Sequence, residues 1–169
     1  MQSRLVFEQE RKKIIGFDMG GTSTDVCHFS GQYERIFKGQ IAGIRLATPM
    51  MNIHTVAAGG GSILTYSSGR LQVGPESAGA EPGPACYGNG GPLTVTDANV
   101  ITGRLRPEFF PAIFGKSGDQ NLNIKESRVA IESIVKKLNK SPEAIAEDWL
   151  SVAIQNMVSA IKKISVQRG

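Results

Sequence analysis

Between Ile14 and Val26 an apolar run, Ile14-Ile15-Gly16-Phe17, breaks at Asp18-Met19-Gly20-Gly21-Thr22-Ser23-Thr24-Asp25 and resumes through Val26 to Phe29. Two apolar runs joined by glycines and hydroxyl residues read as strand, tight turn, strand: a hairpin with chemistry at its tip. Gly20 and Gly21 carry no β-carbon to hold a polyanion off, so backbone N–H groups can converge there on phosphate oxygens. Thr22, Ser23 and Thr24 offer hydroxyl donors to the same oxygens. Asp18 and Asp25 would repel a phosphate unless a divalent cation or an attacking water stands between, which points to Mg2+. The pattern is not G-x-x-x-x-G-K-[ST], because no lysine follows the glycines and a strand, not a helix, follows the turn. An ordinary glycine-rich β-turn is the competing reading of this stretch taken alone.

The first half of the chain continues in β patterning. Tyr33 to Phe37, after Gly31-Gln32, predicts a second hairpin that extends the same antiparallel sheet. Gly39 to Pro49 reads as one further strand closed by its proline, whereas Arg4 to Glu10 is either a short strand or a lead-in. Ile53-His54-Thr55-Val56 then runs into Gly59-Gly60-Gly61-Ser62. Three successive glycines permit close backbone approach and Ser62 can cap or bind phosphate, so a structural bend and a ligand contact both fit, the bend being the commoner use. His54 and His28 sit among apolar neighbours and read as hydrogen-bonded structural residues. Ile63 to Tyr66 and Arg70 to Val73 flank Ser67-Ser68-Gly69 as another hairpin.

From Gly74 to Pro92 glycine and proline forbid a helix or a central strand, yet Ala, Cys and Tyr make the segment unlike a polar linker. It reads as an ordered, functional loop, with Glu76 and Glu81 as candidates for a metal or an active-site wall. Thr94-Val95-Thr96 is expected to pair briefly before Asp97, taken as the N-cap of a short helix ending at Gly103. The aromatic stretch Arg104 to Gly118 is expected to cover a sheet edge. Asn123 with Glu126 predicts a capping box, and Ile131, Ile134, Val135 and Leu138 recur at helical spacing. Ser141 as N-cap and Pro142 at the first position open a last helix. Its stripe of Ile145, Trp149, Val152, Ala153, Met157, Ala160, Ile161 and Ile164 faces the core.

Composition bounds the function classes. A chain of 169 residues fits one domain or part of a larger one. No apolar run reaches the roughly 18 residues of a membrane span, and the start lacks a leader pattern, so the reading is cytoplasmic with no membrane partner. The net charge of +4 is scattered among acids without interleaved aromatics, which excludes a nucleic-acid surface. Cys27 and Cys86 lack metal-ligand spacing and read as buried or incidental thiols. The apolar stripe of the last helix runs to the end of the sequence with nothing after it to cover it, which reads as a fragment.

Five motifs stand in order: Asp18 to Val26, Ala58 to Ser62, Val73 to Ala80, Pro82 to Gly88 and Thr94 to Asn99. In these the chain closely resembles the hydantoinase A and 5-oxoprolinase family from about Lys13 onward. Phe109-Phe110-Pro111-Ala112-Ile113-Phe114-Gly115 resembles the ATP-dependent 5-oxoprolinase branch in particular. The resemblance implies an α/β chain in an α+β arrangement: an actin-like, ribonuclease H-like ATPase lobe with a mainly antiparallel sheet, a glycine- and proline-rich loop insertion and two C-terminal helices. Residues 1–169 would form a single partial domain, the second ATPase lobe, inactive without the remaining lobes of a parent polypeptide.

The implied chemistry is ATP-dependent opening of a small cyclic amide, 5-oxo-L-proline giving L-glutamate, within glutathione metabolism and in a homo-oligomeric parent. The implied assignments put ATP phosphates on Gly20, Gly21, Thr22, Ser23 and Thr24, with Gly59, Gly60, Gly61 and Ser62 facing the substrate or the interlobe cleft. They make Asp18 and Asp25 the catalytic carboxylates, Asp18 holding Mg2+ and Asp25 either a second metal contact through water or a hairpin brace. A non-catalytic nucleotide-binding or interaction module and an N-methylhydantoinase-type hydrolase are the alternatives, with a small-molecule kinase a weaker third.

Overall fold

The computed structural model describes residues 13–37, 39–41, 44–46 and 49–166, so the reading of Arg4 to Glu10 falls outside the described residues. Nine strands come first: β1 (Ile14–Met19), β2 (Thr24–Phe29), β3 (Arg35–Ile36), β4 (Gly39–Ile41), β5 (Ile44–Leu46), β6 (Met50–Met51), β7 (Ile53–Val56), β8 (Ser62–Ser67) and β9 (Arg70–Ser77). Three α-helices follow: α1 (Val95–Ile101), α2 (Ile124–Leu138) and α3 (Pro142–Ile164). The class is mixed α/β with antiparallel sheets and helices, as the sequence predicts. The described strands do not share one sheet; they divide into a three-stranded sheet ordered β1-β2-β7 and the pairs β3-β6, β4-β5 and β8-β9. The second expected hairpin survives only as an antiparallel bridge between Phe29 and Tyr33. Beyond it the chain leaves β2, and Arg35 and Ile36 pair with Met51 and Met50 instead. The stretch read as one strand from Gly39 to Pro49 turns back on itself, pairing Ile41 with Ile44.

The residues gather into two compact units. One takes in the described chain up to Asp18, with Asp25–Val56 and the chain from Ser159 on; the other holds Met19–Thr24 and Ala57–Val158. In the first unit β2 alternates as a half-buried strand should, with Val26 fully buried and Asp25 exposed. Val26 and Val56 pack against Ala160, Ile161 and Ile164 at the end of α3. Gly16 is a glycine because a β-carbon there would lie 2.5 Å from Cys27 Sγ. His28 is structural, as read: its Nδ1 lies 2.9 Å from Glu34 Oε1, and Asn52 Nδ2 donates to Glu34 Oε2 at 3.1 Å.

In the second unit the β8-β9 hairpin turns on Ser68 and Gly69, whose φ values of 51° and 77° suit the two-residue turns that match strand twist. Leu64 of β8, Ile131 of α2 and the Ile145, Trp149, Ala153 stripe of α3 form the main core. Trp149 is fully buried, and its indole Nε1 donates to the carbonyl of Thr65 at 3.2 Å. Ser141 Oγ accepts from Ala144 N at 3.2 Å and Pro142 opens α3, as the sequence predicts. α2 is capped by Asn123, whose side chain accepts from Lys125 N and does not close the box predicted with Glu126, and by Asn139 in the left-handed region at φ 51°. The start of α1 corrects the sequence reading. Thr94 is the N-cap and Asp97 the third helical residue, the two closing a capping box reciprocally. Among the described residues no helix is long and apolar enough to cross a membrane.

Because Trp149 combines full burial with a satisfied indole, Trp149→Ala is expected to lower the unfolding free energy by about 3–5 kcal/mol. Urea unfolding followed by circular dichroism measures it, and a loss below about 1 kcal/mol would contradict the packing described.

Candidate functional site

The turn between β1 and β2 closes on itself and is then held from outside. Gly20 N donates to Ser23 O at 2.8 Å, a bond across the base of the turn that uses the first of the amides expected to face a ligand. The carbonyls of the two glycines point the other way: Gly60 N donates to Gly20 O at 3.0 Å and Gly61 N to Gly21 O at 2.6 Å. Only bare backbone can pack this closely. A β-carbon on Gly59 would lie 2.7 Å from Gly20 O and Gly21 C, and one on Gly61 would lie 2.9 Å from Gly21 O. The Gly59-Gly60-Gly61 run is therefore a ridge on which the Gly20-Gly21 turn rests. Ser62 closes the ridge from within; it is buried, its Oγ accepts from Gly59 N at 2.9 Å and its amide donates to Gly59 O at 3.1 Å. Thr24 is also committed, fully buried with its hydroxyl donating to Ala58 O at 2.5 Å.

What these contacts leave open is the outer edge of the turn. Gly21 and Thr22 are exposed, and their amides have no hydrogen-bond acceptor among the described residues. Ser23 is half-buried. Each of the other glycines whose surroundings are described either has a positive φ or would bring a β-carbon within 3.0 Å of a neighbour. At Gly20 the nearest atom is Ser23 O at 3.5 Å, an ordinary contact, and at Gly21 nothing lies within 4 Å. Among the described residues nothing requires glycine at these two positions, and the space a side chain would fill is open beside the unpaired N–H groups of Gly21 and Thr22. A phosphate fits there on both counts.

Asp18 and Asp25 lie on the neighbouring strands β1 and β2, both exposed. Thr55 Oγ1 of β7 donates to Asp25 Oδ1 at 2.6 Å, so this carboxylate braces β2 to β7. Among the described residues no group of three or more His, Cys, Asp or Glu gathers as a metal site. One carboxylate with water and phosphate oxygens suffices for Mg2+, which is usually bound in that way, so the donors fit a cation brought by a nucleotide and not one caged by protein.

The residue that sequence reasoning misplaced is Asp97. Fully buried, its carboxylate accepts from Ala85 N (3.1 Å), Cys86 N (2.7 Å), Thr94 N (2.8 Å), Thr94 Oγ1 (2.8 Å) and Ser127 Oγ (2.7 Å). It ties the glycine- and proline-rich loop to the starts of α1 and α2. The Thr-x-x-Asp spacing at Thr94 was the available signal. Beside it, burial and then the Asp97 charge push the Cys86 thiol well up, and burial first, then Cys86 and Asp97, raises Tyr87. Glu76 is exposed on β9 and not in the loop the sequence predicts, Glu81 is an exposed loop carboxylate, and His54 is half-buried on β7.

The sequence matches the hydantoinase/oxoprolinase family over residues 2–169. The chain belongs to that family. Within it, the chain is 43% identical over 180 residues to 5-oxoprolinase 1 of Arabidopsis thaliana, covering 99% of this chain and 14% of the relative. It is 45% identical over 163 residues to the 5-oxoprolinase of Saccharomyces cerevisiae, covering 92% and 13%. The solved structure of the ATP-dependent caprolactamase from Pseudomonas jessenii superposes with a TM-score of 0.82 at 36% identity, over 99% of this chain and 24% of that one. A nucleotide-free acetone carboxylase shares the fold at a TM-score of 0.82 and 24% identity. This hydantoinase/oxoprolinase segment thus spans about an eighth of the 5-oxoprolinases' length.

Two outcomes follow from the geometry. Gly59→Ala, with its β-carbon 2.7 Å from backbone, is expected to push the turn off its ridge and raise hydrogen exchange at Gly60 and Gly61 by at least about tenfold. Cys86 is expected to resist iodoacetamide at pH 8 while the chain is folded and to react once it is denatured, as tryptic mass spectrometry would read. The folded chain holds this proton more tightly than the unfolded one, whose thiol titrates near 9.0. Its contribution to stability is therefore full below that pH and is lost as pH rises above it.

Proposed function

We propose that this segment is the second lobe of an actin-like ATPase domain and supplies the phosphate seat of an ATP-dependent cyclic-amide hydrolase, acting on 5-oxo-L-proline. The observation that carries the reading is the pair Gly20 and Gly21, glycines that no backbone angle and no close neighbour requires, with open amides at Gly21 and Thr22. The kinship to 5-oxoprolinases at 43% and 45% identity, and to a caprolactamase described as ATP-dependent, supports lactam chemistry over the kinase reading.

A five-membered lactam is a resonance-stabilised amide that water attacks too slowly. ATP, when bound, would supply a phosphoryl group that makes the carbonyl carbon electrophilic enough for water to add and the C–N bond to break, the net change being lactam, ATP and two waters to amino acid, ADP and phosphate. The protein's part in such a transfer is positioning and charge neutralisation. In this reading the Gly21 and Thr22 amides and the Thr22 and Ser23 hydroxyls hold the terminal phosphates. Through water Asp18 would hold Mg2+, which would supply charge neutralisation for the phosphates. Gly20 shapes the turn, Thr24 anchors it inward, and Asp25 sets the strand from which it rises. Gly59, Gly60, Gly61 and Ser62 serve as the support behind the seat. The parent protein is a cytoplasmic homo-oligomer that recovers glutamate from the products of glutathione breakdown.

Two substitutions in the full-length protein test the reading. Gly21→Ala meets nothing in its own chain and is expected to leave the melting temperature within about 1 °C of wild type while cutting ATP turnover by about a hundredfold or more. Asp18→Ala is expected to abolish ATP turnover in a folded protein. Wild-type turnover in either variant would refute the assignment, and saturable ATP binding without hydrolysis in the unaltered protein would favour the non-catalytic module instead.

A further inference from the structure

Thr96, the second residue of α1, makes two bonds that helix formation does not need. Its amide donates to Gly60 O at 2.8 Å and its hydroxyl donates to the same oxygen at 2.9 Å. The first turn of α1 is already capped without it, by the reciprocal Thr94 and Asp97 pair. Both donors therefore leave the helix for the glycine ridge and saturate the two lone pairs of one carbonyl. The other face of the same residue is spent on the turn, Gly60 N donating to Gly20 O at 3.0 Å. A β-carbon on Gly60 would lie 3.0 Å from Thr96 Oγ1, so the hydroxyl sits hard against the ridge. Helix, ridge and turn thus form one line of bonds, Thr96 to Gly60 to Gly20, and its far end is pinned by the buried Asp97.

We infer that Thr96 is a positioning residue for the Gly20–Thr22 phosphate seat, acting through Gly60, and not a helix cap or a ligand contact. The inference rests on the phosphate-seat reading for its functional consequence, but its structural half stands independently. A helix start sets the height of the ridge, and the ridge sets where the open amides of Gly21 and Thr22 can meet a phosphoryl group. The two-donor clasp on Gly60 restricts rotation of its peptide planes, so loss of the hydroxyl leaves one bond about which Gly60 can swing.

The full-length protein carrying Thr96→Val, which keeps the shape and loses the hydroxyl, tests this against Thr96→Ser, which keeps the donor. Hydrogen-exchange mass spectrometry of the peptide spanning Gly59–Ser62 is expected to show exchange about three- to tenfold faster in the valine variant, the size of one hydrogen bond's net contribution. Exchange within α1 should be unchanged and the serine variant should match wild type. In steady-state kinetics KM for ATP should rise by the same factor with kcat and the lactam KM within about twofold of wild type. Wild-type exchange at Gly59–Ser62 in the valine variant would overturn the inference, as would faster exchange throughout α1, which would make Thr96 a helix residue only. If the unaltered protein turns over no ATP, the proposed function fails while the exchange comparison still decides the role of Thr96.

Discussion

Backbone resting on backbone is the contact from which the candidate site follows. Gly60 and Gly61 donate to the carbonyls of Gly20 and Gly21, and the approach is possible only because Gly59 and Gly61 have no side chain to intervene. Peptide groups are strong, directional and few in number of states, so a turn fixed by two such bonds keeps its amides where they are without ligand help. Preorganised donors are the main currency of phosphoryl-transfer catalysis, because they need no rearrangement as charge develops. The glycines divide the labour: those of the ridge are small so that the chain can close, and those of the turn are small although no described residue crowds them.

The second organising element is Asp97. A buried carboxylate is costly unless every lone pair is met, and here five N–H and O–H groups from three segments meet it. The strand β9 carries Gly74 and Pro75 of the segment read as a loop, and the loop that follows it from Ala78 can run almost without regular structure, because its middle is fastened to Asp97 at Ala85 and Cys86 and its beginning to the ridge through Ala78 N and Gly61 O at 2.8 Å. Core, loop and ridge of this unit depend on the same helix start.

Much of this was legible in the chain. The strand, turn and strand around Gly20, the Ser68-Gly69 hairpin, the caps at Asn123 and Ser141 and the stripe through Trp149 are local patterns, set by residues a few positions apart. Sheet partners were not legible: β3 is two residues long and pairs with β6, a choice made by tertiary packing that no alternation in Tyr33 to Phe37 encodes. The triple glycine announced close approach but not to what, since its partner lies about forty residues earlier. Asp97 looked like a cap because Thr94 and Asp97 both have capping chemistry; only the distances to Ala85, Cys86 and Ser127 reveal the hub.

The crowding around Cys86 has an awkward corollary for anyone hunting the reactive centre by electrostatics. A strongly displaced proton affinity often accompanies chemistry, yet here burial pushes up the thiol of Cys86, a residue of the scaffolding, and raises the phenol of its neighbour Tyr87. Whoever followed proton affinity alone would arrive where the loop is fastened and would pass over the open amides of Gly21 and Thr22, which carry no titratable proton to betray them.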